Sequence, residues 1–252
     1  MNSIGIIFDI DGVVTLPITE ERKISIPDPD LFELIKILAL QGVKINFITG
    51  RAFPWFEKFV LPILQKINIE YNCFLEYGLV SYNNKELHLS NEGKSFRSQY
   101  YDTFKQNILS EATKKDVFFE KDMVYVDYPN HGSLWIEEKL AMISVLTNKN
   151  ISLPVVQDIV GNAVKEYLNE VRFLNHHLGC DILPHGWSKE QGALQVKNMT
   201  DEKVTEWYVF GDNEPDKEMC KPFSNVQYVD CKIGASDTTK QFLRKKFPEI
   251  LD

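Results

Sequence analysis

The fold of this chain is decided near its N-terminus, where the stretch from Ile4 to Gly12 reads IGIIFDIDG. Its first half is a continuous run of mostly branched apolar residues, and the run ends abruptly at Asp9. A strand that is buried on both faces of a parallel sheet has this pattern. We therefore expect Asp9 and Asp11 to lie at the carboxyl end of a central strand.

An alternation of strands and helices continues from this stretch. Apolar residues recur at helical spacing from Asp30 onward, and Gly42 follows as a helix stop. Further strands are predicted at residues 43–48, 72–75, 207–210 and 226–229, and further helices at 53–67 with a kink at Pro62, at 189–197, after Asp216 and from Thr238. The pattern predicts an α/β fold with a doubly wound, Rossmann-like parallel sheet.

A segment with a different order of predicted strands and helices interrupts this alternation. Helices are predicted at residues 100–112 and 155–168, with strands at 122–128 and 133–136 and two more short strands before residue 184. This is the pattern of a small antiparallel sheet with two helices. We expect a core formed by residues 1–83 and 184–252, with residues 84–183 forming an inserted α+β cap domain.

The composition excludes several classes of protein. The 252 residues carry a formal net charge of -8 without a concentrated Lys/Arg run, which argues against nucleic acid as the principal partner. No apolar stretch approaches the roughly 20 residues that span a bilayer, and the Asp9 and Asp11 charges interrupt the N-terminal apolar run before it could act as a signal peptide. We expect a cytoplasmic monomer or homodimer without a membrane partner.

The four cysteines are scattered along the chain without CxxC spacing: Cys73, Cys180, Cys220 and Cys231. This distribution fits neither a zinc site nor a disulfide framework. We expect buried or half-buried thiols without a catalytic role.

Four polar segments, far apart in sequence, carry the groups that phosphoryl transfer requires. They are residues 9–12 (DIDG), 49–51 (TGR), 188–190 (SKE) and 211–216 (GDNEPD). Three of them follow apolar runs, and ligands bind open parallel sheets at the carboxyl ends of strands. Each segment alone also fits a turn, a helix cap or a solvated side chain. Together they predict one phosphate-transfer site.

The first segment offers a nucleophile and a proton donor. Asp9 can attack phosphorus and form an aspartyl-phosphate, which divides one difficult hydrolysis into two displacements. Asp11 can protonate the leaving alkoxide and then deprotonate water. For this role we expect the charge of Asp9 and partial burial to raise the pKa of Asp11.

The other segments offer ligands for a metal and for phosphate. Magnesium prefers hard oxygen ligands, and Asp9, the backbone carbonyl of Asp11, and Asp212 would supply them, with Asp216 binding directly or through a water. The predicted phosphate-binding set is Gly12, the Thr49 hydroxyl, the Gly50 amide and the Lys189 ammonium group.

These four motifs resemble those of the haloacid dehalogenase (HAD) superfamily of aspartate-nucleophile phosphatases. The insertion looks like the type II (IIB, Cof-like) cap of sugar-phosphate phosphatases, and residues 188–193 (SKEQGA) are particularly similar to that group. The resemblance implies a Mg²⁺-dependent phosphatase in which Asp9 is the nucleophile, Asp11 the acid/base, Thr49 and Lys189 the phosphate ligands, and Asp212 and Asp216 the metal carboxylates. One departure is Val13, where the family often has Thr; Thr15 follows two places later.

The cap residues that would recognise the substrate do not follow from the resemblance. Candidates from residue type are Arg97, Trp135, Glu137, Arg172, His176 and His177. Trp135 and Glu137 alternate on one predicted strand and would suit a sugar ring. For each residue alone, however, we favour the interpretation that Trp135 belongs to the core of the small sheet and that Glu137 is solvated. Arg51 and Arg97 would instead suit a second anionic group, as in a phosphoglycerate.

We therefore expect hydrolysis of a small phosphorylated metabolite, preferably a sugar phosphate. Two alternatives stay open at this point. A phosphomutase would use the same nucleophile but exclude water. A catalytically idle binding protein would keep the fold without the reaction.

Overall fold

The structure is a computed structural model that describes residues 3–17, 25–83, 85–118, 134–137, 139–147, 151–176, 178–200 and 204–251. The chain divides into two compact units. The first comprises Met1–Arg51, Phe56–His88 and Ser188–Asp252, and the second comprises Ala52–Trp55 and Leu89–Trp187. Within the described ranges, the helices are all too short or too polar to cross a membrane.

Strands and helices are numbered along the chain. The strands are β1 (Ser3–Phe8), β2 (Lys44–Ile48), β3 (Asn72–Leu75), β4 (Val80–Asn83), β5 (Glu86–Leu89), β6 (Leu134–Glu137), β7 (Ile143–Thr147), β8 (Val171–His176), β9 (Gly179–Pro184), β10 (Val204–Gly211) and β11 (Val226–Asp230). The helices are α1 (Pro29–Leu40), α2 (Phe53–Phe59), α3 (Leu61–Ile67), α4 (Asn91–Lys114), α5 (Leu153–Val164), α6 (Lys189–Met199), α7 (Ser236–Lys246) and α8 (Pro248–Leu251).

The first unit is built on a seven-stranded sheet of order β11-β10-β1-β2-β3-β4-β5. The first five strands of this order are mutually parallel, and β4 pairs antiparallel with β3. Phe8 is in register with Phe210 on one side and with Phe47 on the other. The polar residues that follow β1, β2 and β10 therefore leave the sheet at nearly the same level. The predicted α/β class with a Rossmann-like core is confirmed.

Local sequence explains where the core helices begin. The Asp28 carboxylate accepts the N–H of Asp30 at 3.1 Å and caps α1, while Pro29 occupies a position where its missing N–H costs nothing. Ser188 caps α6 in a reciprocal capping box with Gln191. This cap fixes the position at which Lys189 enters its helix.

Two predicted helices differ from the structure. The helix expected over residues 53–67 is divided into α2 and α3 at Val60, because Pro62 occupies the first turn of the second piece. The helix expected after Asp216 is a 3₁₀ segment, Glu214–Cys220, that already includes this aspartate.

The second unit is an α+β layer with an antiparallel sheet of order β6-β7-β9-β8. One face of this sheet packs on α4 and α5 through a buried apolar cluster that includes Phe104, Ile136, Val145, Ile159 and Ile182. The helix predicted at 100–112 is part of the longer α4, which begins at Asn91 and ends at Lys114. The predicted strand at 122–128 lies outside the described residues. Strand β7 was not predicted from the sequence.

Candidate active site

The site begins where three adjacent parallel strands end. Asp9 follows β1 and donates its N–H to the carbonyl of Phe210 at 2.9 Å. Thr49 follows β2 and donates its N–H to the carbonyl of Phe74 at 2.9 Å. These bonds continue the sheet pairing for one further residue on each strand. They hold both backbones rigidly at the carboxyl edge of the sheet.

Lys189 lies between two buried carboxylates. Its Nζ is 2.8 Å from Asp9 Oδ1 and 2.6 Å from Asp216 Oδ1, and all three side chains are buried. Burial raises the pKa of Asp9 well above its usual value, although the charge of Lys189 opposes this shift. Burial would lower the pKa of Lys189, but the charges of Asp216 and Asp9 outweigh it and raise that pKa. The ammonium group therefore stays charged.

The loop after β10 is organised around Asp216. Its Oδ2 accepts the N–H groups of Asp212 and Asn213, both at 2.9 Å. Gly211 makes this close approach possible, since an added Cβ would lie 2.2 Å from the Cβ of Asp216. Burial, together with the charge of Asp216, raises the pKa of Asp212 to about 6.

A divalent cation would fit this carboxylate set. Asp9, Asp212 and Asp216 each offer an oxygen, and these oxygens lie within 4.8 Å of one another. A converging set of hard oxygen ligands without sulfur or imidazole is the chemistry that Mg²⁺ selects. Burial raises the pKa values of Asp9 and Asp212, and neighbouring carboxylates add to both shifts, so a bound cation would favour the ionised forms.

A glycine is required at position 12, because the Asp212 carboxylate lies where a side chain would be. The φ of Gly12 is 67°, and a Cβ at this position would lie 2.2 Å from Asp212 Oδ2. Its N–H donates to Thr15 Oγ1 at 3.0 Å. Thr15 thus places a hydroxyl beside the loop, while Val13 is completely buried in the core.

Asp11 is held by Arg51 in a two-pronged ion pair. Arg51 Nε donates to Asp11 Oδ2 at 2.6 Å, and Nη2 donates to Oδ1 at 2.8 Å. Burial alone would raise the pKa of Asp11, but the charge and hydrogen bonds of Arg51 lower it below its usual value. The expected upward shift of the Asp11 pKa is therefore wrong for this structure. The role expected for Arg51 from its residue type is different, namely contact with a second anionic group of the substrate.

Thr49 and Gly50 form the second side of the site. Thr49 is buried, and its Oγ1 accepts the N–H of Arg51 at 3.2 Å, so its hydroxyl hydrogen is directed elsewhere. Tyr77 lies against Gly50, because a Cβ added to this glycine would be 3.0 Å from the tyrosine ring. Tyr77 was not among the predicted site residues.

The structure places two of the cap candidates on one strand. Trp135 and Glu137 lie on the same face of β6, which is the face opposite the α4 and α5 cluster. Glu137 is in register with Ser144, and Ser144 is in register with Asp181, so a row of polar side chains crosses three strands. Lys139 Nζ lies 3.1 Å from Glu137 Oε2, and Ser144 Oγ donates to Asp181 Oδ1 at 2.5 Å.

This polar row is buried and strongly charged. Glu137, Lys139 and Asp181 are each 4% exposed. Burial would raise the pKa of Asp181, but the nearby charges of His176 and Lys139 lower it. Sequence reasoning missed Lys139, Ser144 and Asp181. The missed strand β7 explains the last two, because it carries Ser144 and connects Asp181 to Glu137. Lys139 follows Glu137 by two residues and pairs with it directly.

The remaining cap candidates have separate environments. Arg97 on α4 donates to the Lys139 carbonyl at 2.5 Å and stacks on the Tyr101 ring. Arg172 donates to the Trp187 carbonyl at 3.0 Å, and His176 Nε2 lies 3.6 Å from Asp181 Oδ1. His177 lies outside the described residues.

The cysteines have the expected character. Cys73, Cys180 and Cys231 are buried, and Cys220 is half-buried. Burial raises the pKa of Cys180 to about 12 and that of Cys220 to about 11. All four thiols are free and these two are protonated near neutrality, which disfavours nucleophilic chemistry.

Comparisons with known proteins agree with this geometry. Residues 58–226 match the family described as haloacid dehalogenase-like hydrolase, a range that contains Lys189, Asp212 and Asp216. A protein of Bacillus subtilis (strain 168) named "Putative phosphatase YkrA" is 25% identical over 260 aligned residues, which cover 96% of this chain and 89% of that protein.

Solved structures share the fold at low sequence identity. The C-terminal domain of trehalose-6-phosphate phosphatase from C. albicans matches with a TM-score of 0.63 and 16% identity, over 87% of this chain and 73% of that one. Sucrose-phosphatase from Synechocystis sp. PCC6803 matches with a TM-score of 0.53 and 15% identity, over 91% of this chain and 83% of that one. Both carry a Rossmann-like core and a cap, as this chain does.

Proposed function

Because the chain belongs to the haloacid dehalogenase-like hydrolases and is a phosphatase, we propose that it is a Mg²⁺-dependent phosphomonoesterase that hydrolyses a sugar phosphate through a phosphoenzyme on Asp9. The observation that carries this proposal is the position of Asp9. Its carboxylate lies 2.8 Å from the Lys189 ammonium and shares a 4.8 Å cluster with the carboxylates of Asp212 and Asp216.

Asp9 acts first in the proposed reaction. One of its carboxylate oxygens forms a bond to phosphorus while the bond from phosphorus to the sugar oxygen breaks. Burial and neighbouring carboxylates raise the pKa of Asp9, so the attacking ionised form needs positive charge nearby. Lys189 supplies part of this positive charge. A Mg²⁺ ion bound by Asp9, Asp212 and Asp216 would supply the rest and would also neutralise charge on the phosphoryl oxygens.

Asp11 transfers the protons in this proposal. It gives a proton to the departing sugar oxygen. In the second step it removes a proton from a water whose oxygen bonds to phosphorus while the bond from phosphorus to Asp9 breaks, which releases inorganic phosphate. Both Asp11 oxygens are engaged by Arg51 in the structure. Arg51 must therefore release one oxygen before Asp11 can hold the proton that the first step consumes.

The phosphate group is held by the second and third segments. The Thr49 hydroxyl and the Gly50 N–H donate to phosphoryl oxygens, and Lys189 offsets their charge. The Thr49 oxygen already accepts the Arg51 N–H, which leaves its hydroxyl hydrogen for the substrate. Gly12 contributes mainly by leaving space for Asp212, because its N–H is bound to Thr15.

The proposed substrate class is supported by one observation. The similar solved structures include enzymes named for trehalose-6-phosphate and for sucrose phosphate. Trp135 and Glu137, which the sequence offers as sugar contacts, are 3% and 4% exposed, so they add nothing to this support.

Release of inorganic phosphate from a panel of sugar phosphates, phosphoglycerates and nucleotides tests the proposal. Each compound is assayed with Mg²⁺ and with EDTA, using wild type, Asp9→Asn and Asp230→Asn. Asp230 ends the neighbouring strand β11 and is exposed, so its variant is a matched control. We expect Mg²⁺-dependent release that Asp9→Asn abolishes and Asp230→Asn retains.

Each other outcome of this assay contradicts a definite part of the proposal. Release that persists in Asp9→Asn removes the phosphoenzyme. Isomerised sugar phosphate that accumulates faster than inorganic phosphate indicates a mutase. A preference for phosphoglycerates over all sugar phosphates removes the substrate class and leaves the chemistry intact.

A further inference from the structure

The turn between β3 and β4 has an unusual backbone. Glu76, Tyr77 and Gly78 have φ values of 50°, 61° and 89°, so three consecutive residues are left-handed. Residues with a Cβ avoid this region unless the surrounding structure imposes it, and such residues concentrate at functional sites. The bonds that impose it here therefore indicate what the turn does.

Two of these bonds reach the segment that we propose to bind phosphate. The N–H of Glu76 donates to the Arg51 carbonyl at 3.3 Å, and the N–H of Tyr77 donates to the Thr49 carbonyl at 3.0 Å. These two carbonyls flank Gly50. The left-handed conformation directs two successive N–H groups of the turn to the same short loop.

The Tyr77 side chain makes a third contact with this loop. Its ring lies where a side chain on Gly50 would point, with Cε2 only 3.0 Å from the position of an added Cβ. A glycine at this position allows the backbone to approach a phosphoryl group closely, but it also leaves the loop free to change conformation. The ring of Tyr77 occupies the space into which the loop would otherwise move.

The opposite side of the turn contacts α6, the helix that begins with Lys189. A Cβ on Gly78 would lie 2.7 Å from the Cα of Gly192, so the two backbones are in direct contact. Gln195 Nε2 donates to the Gly78 carbonyl at 2.9 Å. All of these residues belong to the first unit.

We propose that residues 76–78 form a phosphate brace, which holds the Thr49–Gly50 loop and the Lys189 helix at a fixed separation, and that Tyr77 is its positioning residue. The inference rests on the proposed function, since it takes these two elements to be the phosphate ligands. Tyr77 acts through Gly50 and Thr49 and not by touching the reacting atoms.

Substitutions at Tyr77 distinguish a role in positioning the phosphate-binding loop from a contribution to the overall stability of the fold. Tyr77→Gly keeps the left-handed backbone at lower cost and keeps the N–H that binds Thr49, but it removes the ring. Asn68→Gly is the matched control, because Asn68 has a φ of 51°, is exposed and ends α3 away from the site. The readouts are the inhibition constants of inorganic phosphate and vanadate, kcat, KM and the thermal midpoint.

We expect Tyr77→Gly to weaken inhibition by both anions by about tenfold or more, since small displacements of ligand groups have effects of this size. The thermal midpoint should not fall, whereas Asn68→Gly should leave the inhibition constants unchanged. Tyr77→Phe should restore most of the inhibition, because the ring makes the closest contact with the position of a Gly50 Cβ, at 3.0 Å, and the hydroxyl lies farther away, at 3.4 Å. Unchanged inhibition in Tyr77→Gly, or a loss that Asn68→Gly shares, would overturn the brace.

Amide hydrogen exchange distinguishes a failure of the brace from a failure of the proposed function. In Tyr77→Gly, exchange should increase both at residues 49–51 and at the start of α6. If exchange increases there but wild type shows no phosphatase activity that depends on Asp9, the brace exists and the function is wrong. If wild type is an Asp9-dependent phosphatase but exchange is unchanged, the brace is wrong and the function stands.

Discussion

Arg51 donates hydrogen bonds to both carboxylate oxygens of Asp11, at 2.6 Å and 2.8 Å. This ion pair favours the ionised form of the proposed acid/base before substrate binds. The expectation from the sequence is that the charge of Asp9, together with partial burial, raises the pKa of Asp11. Burial would raise the pKa of Asp11, but the charge and hydrogen bonds of Arg51 oppose it, and the net effect is a lowered pKa.

Arg51→Met should therefore have an effect on stability that depends on pH. The lowered pKa of Asp11 in the folded state stabilises the fold above the unfolded pKa, near 4, and this contribution is lost as pH falls below that value. At pH 7 we expect the free energy of unfolding to fall by about 1 kcal/mol, a modest value because the Asp11 side chain is 36% exposed. Urea denaturation at pH 7 and pH 3.5 measures the difference.

The difference between wild type and Arg51→Met should shrink at the lower pH. Arg51→Lys keeps the charge without the forked geometry and should lie between the two proteins. A difference that is equal at both pH values would contradict the ionic origin of the effect.

Lys189→Met should be much more destabilising than the removal of an exposed lysine nearby. It leaves the buried carboxylates of Asp9 and Asp216 without their shared cation, which costs about 3–5 kcal/mol. The control is Lys221→Met, since Lys221 pairs with Glu190 at 2.9 Å but is 56% exposed. That pair should contribute about 0–1 kcal/mol.

Chemical denaturation at pH 7.5 and pH 5 would test this difference. The cost of Lys189→Met should decrease at pH 5, because the raised pKa of Asp9 lets it take up a proton and shed its uncompensated charge. Equal costs for Lys189→Met and Lys221→Met would show that the buried pairs do not have the strength assigned to them.

The sequence predicted the core of this molecule better than its insertion, and the reason is physical. Five core strands are apolar runs that end at polar residues, so they can be recognised from the sequence alone. They are β1, β2, β3, β10 and β11. Strand β7 is short, and its buried Ser144 interrupts the apolar pattern. Without it, Asp181 could not be connected to Glu137.

Contacts between distant segments were also beyond the sequence. Arg51 and Asp11 are each recognisable as polar residues near strand ends, but their pairing depends on the geometry of two loops. The left-handed conformation of Glu76 and Tyr77 is accompanied by bonds from their N–H groups to residues 49–51, which lie far away in the sequence. A pattern search cannot detect conformations that only tertiary hydrogen bonds impose.

Asp212→Asn should stabilise the metal-free protein and remove its response to Mg²⁺. Burial and the charge of Asp216 raise the pKa of Asp212 to about 6, so its neutral form favours folding and its ionised form costs stability as pH rises through that value. At pH 7.5 in EDTA we expect the variant to be about 1–2 kcal/mol more stable than wild type. Wild type should recover stability when Mg²⁺ binds.

Thermal unfolding of both proteins in EDTA and in Mg²⁺, at pH 5 and pH 7.5, checks these signs. At pH 5 the advantage of Asp212→Asn in EDTA should be about half as large, since the cost develops between the unfolded pKa near 4 and the folded pKa of about 6. An equal increase in the midpoint with Mg²⁺ for both proteins would remove Asp212 from the metal site.

Gly12→Ala should impair the reaction for a reason that can be separated from backbone strain. Gly12 has a φ of 67°, and its added Cβ would meet Asp212 Oδ2 at 2.2 Å, so Asp212 must move. Gly42→Ala is the control, because Gly42 has a φ of 88° but an added Cβ meets nothing within 4 Å. Both variants carry the left-handed strain of about 1 kcal/mol, but only Gly12→Ala disturbs a carboxylate of the proposed metal site.

We therefore expect the two variants to lose similar amounts of stability. The Mg²⁺ concentration that gives half-maximal activity should rise at least about tenfold for Gly12→Ala alone. Mg²⁺ titrations of activity and thermal unfolding measure the two effects, and equal Mg²⁺ constants would mean that Gly12 does not position Asp212.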